Sequence, residues 1–447
     1  MSAEALTWHR SLAPHLTSYR LVNHLETLVQ YLAIGRRLDE YGQAYKRMGR
    51  ALRAGSADWY RHGEAHFERS GTELWLNDRA YRAPTPSLLD TDLELRVEAS
   101  VTAPACAMPA DEVGLGALGE LLPLLAASTP VASYRSLLSD KATALLRTLL
   151  RLDLLQASPA RSEALKQTPA GVRWLGHFGV ELSAGGRRIW VDPALALRHR
   201  RLGVAEALRD PPDAVVLCSS RADQCHFDTL LQLPRDTEII IPASTRGPTL
   251  DNVHLAEILA QLGFTRVRGL GSWESIGAPE LRLTALPYRG DALGADAHAD
   301  RLILHVGMGD RGVLLAHHAG ADRRGGLLPI LHRVRKTLAP VALLFVSYAE
   351  NWRPLALFTR RPFYLGPGVE PTSASATDIL GWSRALGVSK VVPYGGLAYT
   401  RKDLLQPPPR TKLYAGFERR GSVARLAAHL KGQAEVLLPT ELGQGGL

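Results

Sequence analysis

GVRWLGHFGVELSAGGRRIWVDPAL at 171–195 and DAVVLCSSRADQCHFDTLLQLP at 213–234 decide how this chain folds. The first stretch reads as strand, Gly-Gly turn, strand, and ends in Val-Asp-Pro. The second reads as a short apolar strand, a polar turn and a helix. Short apolar strands then alternate with helices. The strands are AVVLCS (214–219), EIIIPA (238–243), RLILHVG (301–307), VLLAHH (313–318), VALLFVS (341–347) and KVVPYG (390–395). The helices fall around 226–233, 251–262, 325–338 and 373–386. That alternation predicts an α/β layered domain.

Upstream of residue 169 the pattern differs. Tyr19, Val22, Leu25, Val29 and Leu32 recur at helical spacing, which predicts a helix over 14–52 ended near Gly55. ELWLNDRAYR (73–82) and LELRVEASVTA (93–103) read as strands separated by the turn APTPS (83–87). Helices are expected again at 114–127 and 132–155. The segment 136–158 has the look of the last helix of a winged-helix unit or, more plainly, of an amphipathic packing helix. The expected organisation is a mixed α+β accessory domain over 1–168 and a layered α/β domain over 169–447.

Composition sets the class. The chain has 447 residues, 46% of them hydrophobic and 22% charged, which is a globular profile. A formal charge of +9 favours acidic partners, but the absence of a run of five basic residues weighs against nucleic acid. Three cysteines, Cys106, Cys218 and Cys225, are too few for a disulfide scaffold and fit a reducing compartment. MSAEALTWHR lacks the layout of a signal peptide, and no apolar run approaches the roughly 20 residues of a membrane helix. The expectation is a cytoplasmic protein with no membrane contact. No nucleophile elbow, P-loop or dinucleotide fingerprint occurs.

The opening hairpin and the 213–234 stretch resemble the metallo-β-lactamase superfamily, whose fold is a four-layer αβ/βα sandwich. That resemblance implies the sandwich over residues 171–440. It also implies a His-x-His-x-Asp-His motif between strand and helix, which holds two metals in active members. Aligned on the flanking strand and helix, the four motif positions here are Ser219, Arg221, Asp223 and Gln224. Three ligands are replaced, one of them by a guanidinium that cannot bind a metal and repels one. The later ligand positions fare no better. Ala292 or a neighbour stands at one, His318 followed by Asp322 at the next, and VVPYGGLAYT (391–400) holds no histidine. GFTRVRGLGSWESI (263–276), LTALPYRGD (283–291), LLFVSYAENWRPLALF (343–358) and ILGWSRALGVSKVVPYGG (379–396) look like the corresponding domain of diiron β-hydroxylases. Those enzymes act on carrier-tethered aminoacyl groups in nonribosomal peptide assembly, and they carry an N-terminal domain of similar size.

The candidate cleft is therefore Ser219, Arg221, Asp223, Gln224 and His318, with no catalytic residue assigned and no metal or other cofactor expected. His177 and Asp192 are expected to be structural beside it, Asp192 by accepting backbone hydrogen bonds. Asp223 is expected to pair with Arg221. Of His317 and His318 only one can face the cleft, because strand neighbours point to opposite sides. Cys218 reads as a small core hydrophobe. Two functions remain open. One is a pseudoenzyme that binds a catalytic paralogue, a carrier protein or a precursor peptide, with a homo-oligomer left open. The other is an enzyme whose old metal cleft does metal-free acid–base chemistry, or retains some metal chemistry, on an anionic or carrier-tethered substrate.

Overall fold

The computed structural model describes residues 4–8, 13–17, 67–70, 73–76, 94–100, 103–109, 114–127, 129–159, 170–193, 211–220, 224–225, 227–243, 255–290, 301–322, 325–348, 374–395, 422–439 and 442. Arg221, Asp223 and Ala292 lie outside this set, as does most of the helix expected over 14–52.

The N-terminal strands are β1 (Glu4–Trp8), β2 (Ala13–Thr17), β3 (Phe67–Ser70), β4 (Glu73–Leu76), β5 (Glu94–Ser100), β6 (Ala103–Pro109) and β7 (Leu155–Pro159). They pair as β2-β5-β6, β3-β4 and β1-β7. Residues 13–17 are thus a strand against β5, where the sequence predicted the start of a helix. Cross-strand pairing overrides the local spacing there. The helix expected over 132–155 is interrupted. It becomes Val131–Leu137 and Asp140–Arg151, followed by β7. Ser139 makes the break, because its Oγ accepts from Ala142 N at 3.3 Å as a helix N-cap.

The larger part is two sheets. The first runs through β8 (Gly171–Gly176), β9 (Gly179–Ala184), β10 (Arg187–Val191), β11 (Ala214–Val216), β12 (Glu238–Pro242) and β13 (Val267–Leu270), in that spatial order. The β8-β9-β10 strands are antiparallel and β10 to β13 are parallel. Gly185 and Gly186, both at positive φ, make the tight turn between β9 and β10 that the Gly-Gly pair predicted. The second sheet holds β14 (Ser275–Ala278), β15 (Leu281–Pro287), β16 (Leu302–Met308) and β17 (Arg311–Ala316). After the short pair β18 (Ala321–Asp322) and β19 (Gly325–Gly326), it continues with β20 (Val341–Val346), β21 (Lys390–Pro393) and β22 (Glu435–Val436). Its first four strands are antiparallel and the rest add in parallel.

Alternation along each strand builds three apolar layers. Ile189, Val191, Val216 and Ile240 meet Leu283, Leu304, Val313 and Phe345 between the sheets. Trp190, Val215, Ile239 and Ile241 face the other way, onto helices Leu115–Ala126, Asp140–Arg151 and Leu255–Gln261. Leu286, Ile303, Leu314 and Leu344 face helices Leu328–Thr337, Ala376–Leu386 and Ser422–Leu430. Helix, sheet, sheet, helix is the αβ/βα sandwich. Leu118, Leu121 and Leu149 share one core with residues from Leu175 to Phe264, so packing crosses the boundary expected at residue 168.

Candidate functional site

Four strand ends converge between the sheets. Asp192 follows β10 and Cys218 lies just beyond β11, both in the first sheet. His317 follows β17 and Tyr394 follows β21, both in the second. Phe178, in the turn between β8 and β9, sits among them. Its ring lies edge-on to His177, His317, His318 and Tyr394 at 4.5, 5.4, 4.7 and 5.2 Å between centroids. Gly395, at φ +80°, passes so close that a Cβ there would lie 1.8 Å from Phe178 Cε1. Only glycine fits.

One chain of polar contacts crosses the interior. Ser219 Oγ donates to Gln224 Oε1 at 2.5 Å, and Gln224 Nε2 donates to Asp192 Oδ2 at 3.2 Å. Asp192 Oδ2 lies 3.3 Å from His317 Nε2, and His317 Nδ1 lies 2.5 Å from the Tyr394 hydroxyl. The other Asp192 oxygen accepts from Cys218 N at 2.7 Å. Ser219, Gln224, Asp192, His317 and Tyr394 are all at most 5% exposed, so each polar atom depends on its partners rather than on water. Burial pushes the Cys218 thiol well up, and nearby Asp192 pushes it further. The Tyr394 hydroxyl is raised by burial first, then by Cys218 and Asp192. Both groups are therefore protonated at neutral pH.

The backbone is strained at the same place. His177, Asp192 and His318 adopt φ of 46°, 44° and 46°. Such positions cost roughly 1–3 kcal/mol each and persist only where surroundings impose them. The impositions are visible. Trp174 Nε1 and Gly395 N both donate to His177 O, at 3.0 and 3.3 Å. His318 N donates to Ser347 Oγ at 2.9 Å, and Tyr288 OH donates to His318 O at 2.8 Å.

The sequence-predicted residues fall as follows. Ser219 and Gln224 come together and bond each other. His177 lies beside the cluster, with its ring on Phe178. Asp192 does accept a backbone hydrogen bond, and it also joins Gln224 and His317. The histidine that reaches Asp192 is His317. His318 lies beyond the end of the strand, with its ring on Phe178, so strict alternation does not sort the pair. Arg221 and Asp223 are outside the described residues. Sequence reasoning did not single out Phe178 or Tyr394. The available signal for Tyr394 was its place in VVPYGGLAYT, near which the resemblance to metallo-β-lactamases implies a histidine.

A two-iron centre does not fit the described residues. Ser219 and Gln224, at two motif positions, direct their side chains at each other, and neither is a carboxylate or imidazole. Asp192, Cys218 and His317 are the described donors that come together, each offering one ligand atom within 4.8 Å of the others.

The layered topology is that of the metallo-β-lactamase fold. The chain is similar in structure to the diiron β-hydroxylase CmlA of Streptomyces venezuelae, with TM-score 0.54 and 16% identity over 98% of this chain and 99% of that one. A point variant of that enzyme aligns at TM-score 0.57 with 16% identity over 97% and 98%. In sequence, a 4-amino-L-phenylalanyl-[CmlP-peptidyl-carrier-protein] 3-hydroxylase of S. venezuelae is 26% identical over 228 residues, 47% of this chain. That match spans 40% of the enzyme's length. No protein-family model matches the chain. Among the described residues, no helix is long and apolar enough to cross a membrane.

Proposed function

We propose that this protein is a non-oxygenase member of a natural-product pathway, a β-hydroxylase-like scaffold that binds a carrier protein, a precursor peptide or a catalytic paralogue. The observation that carries this reading is the buried polar chain from Ser219 through Gln224, Asp192 and His317 to Tyr394, in which the two described motif positions bond each other. The similarity to a hydroxylase acting on a carrier-tethered aminoacyl group supports a carrier-borne partner. Arg221, at a former ligand position, adds a planar cation suited to a carboxylate or phosphate, such as the phosphodiester of a carrier arm.

The test is to mix the full chain with aminoacyl-loaded peptidyl carrier protein, with iron, reductant and oxygen present. Saturable binding that weakens in Arg221→Ala, with the aminoacyl mass unchanged, is expected. Hydroxylated product at catalytic turnover would overturn the reading. Arg221→Ala is expected to leave the melting temperature within a degree or two. A loss of several degrees with binding intact would make Arg221 structural.

A second reading rests on one specific arrangement. Asp192, His317 and the Tyr394 hydroxyl stand in the order orienting carboxylate, imidazole, proton-bearing oxygen, which is the layout of an acid–base pair with its support. Iron-independent conversion of the carrier-bound group, abolished in Tyr394→Phe, would favour it.

A further inference from the structure

The geometry points to a mononuclear site for a zinc-class divalent ion, held by Asp192 Oδ2, Cys218 Sγ and His317 Nε2, that ties the two sheets together. None of its three ligands is a motif position and it is not a two-metal centre, but Asp192 and His317 belong to the polar chain on which the proposed function rests.

Three observations carry it. First, the donors converge. One ligand atom from each residue lies within 4.8 Å of the others, and Asp192 Oδ2 to His317 Nε2 is already 3.3 Å. Tetrahedral zinc with bonds of about 2.0–2.3 Å sets donors roughly 3.3–3.8 Å apart, so closure needs a shift of about 1 Å at most. Second, the groups that orient metal ligands are present. Cys218 N–H holds the outer oxygen of Asp192, Gln224 Nε2 steadies its inner one, and the Tyr394 oxygen lies 2.5 Å from His317 Nδ1 and 3.1 Å from Nε2. In metal sites a ligating histidine hands its second N–H to such an acceptor. Third, the donors come from strand ends of both sheets, Asp192 and Cys218 from one and His317 from the other. A bound ion would be folding free energy, not decoration.

The chemistry balances without any co-reactant. Asp192 is already anionic. Cys218 releases its thiol proton to solvent as the sulfur–metal bond forms. The form of His317 that binds the ion is the neutral imidazole, with one ring proton. With the ion bound, the proton sits on Nδ1 toward the Tyr394 oxygen. A thiolate, an imidazole and a carboxylate suit zinc and cobalt(II) better than magnesium or calcium. The fourth position is left for a water.

The test uses the full chain, stripped with chelator and titrated with cobalt(II). The expected result is one equivalent bound, an intense near-ultraviolet thiolate-to-cobalt band, its displacement by zinc, and a higher melting temperature. Cys218→Ser should abolish the band and Cys225→Ser should keep it. Tyr394→Phe should keep the band but weaken binding by about tenfold to a hundredfold, as removal of an outer-shell partner does. Absence of the band in the unaltered protein would overturn the proposal, and so would its survival in Cys218→Ser. If Cys218→Ser does not fold, His317→Gln decides. Unchanged cobalt affinity in that variant refutes the site, and a large loss supports it.

Discussion

Asp192 joins three other residues of the cluster through polar contacts. It accepts from Cys218 N and Gln224 Nε2 and faces His317 Nε2 from a fully buried position. Asp192→Ala strands all three. Removing one member of a buried charged network costs about 3–5 kcal/mol, and urea unfolding should show a loss of that order. A loss under about 1 kcal/mol would mean the network is not formed in solution. At Gly395 the expectation is steric. A methyl placed against Phe178 at φ +80° clashes and strains the backbone together, so Gly395→Ala should fall among the severe destabilisers, above about 3 kcal/mol. A thermal melt within two degrees of the parent would contradict it. Part of this site was legible in the sequence. Ser219 and Gln224 stand in the motif region by simple alignment, and Asp192 sits in the Val-Asp-Pro turn. His317 against His318, Phe178 and Tyr394 were not legible. Their roles arise only when ends of β8, β17 and β21, far apart in sequence, meet between the sheets.

Among the elements, those whose burial follows a plain period were readable. EIIIPA, VLLAHH and VALLFVS each carry an unbroken apolar run because both faces of their sheets are covered. The helix Ala376–Leu386 announces itself by its ends. Ser375 and Asp378 form a reciprocal capping box, and Gly387 closes it at φ 71°. Ser375→Ala should cost about 1 kcal/mol in chemical unfolding, and no change would show that the cap is dispensable. Strand β2 was misread because its register against β5 is tertiary information. The break at Ser139 was missed because Leu138 continues the apolar spacing while Ser139, a capping residue, interrupts the helix. Its backbone N–H also donates to Glu120 Oε2 at 2.7 Å, a long-range contact that spacing cannot reveal.

Across the whole molecule, the sandwich carries a buried histidine that ties stability to pH. His305 lies in β16 with Nε2 2.9 Å from Ala339 O, and burial lowers its pKa below the ordinary value of 6.5. The unfolded chain therefore binds more protons between the folded value and about 6.5, so stability rises with pH through that window and levels off on either side of it. Comparing urea midpoints at about pH 7.5 and about pH 5.5, the parent should lose more than His305→Gln does. Equal losses would remove His305 as the cause.

We propose that this chain keeps the metallo-β-lactamase fold without holding a two-iron site. Anaerobic reconstitution with excess isotopically enriched ferrous iron, desalting and Mössbauer spectroscopy test it most directly. The expected spectrum shows no exchange-coupled pair and no more than one retained ion per chain. Two coupled irons held per chain would contradict it.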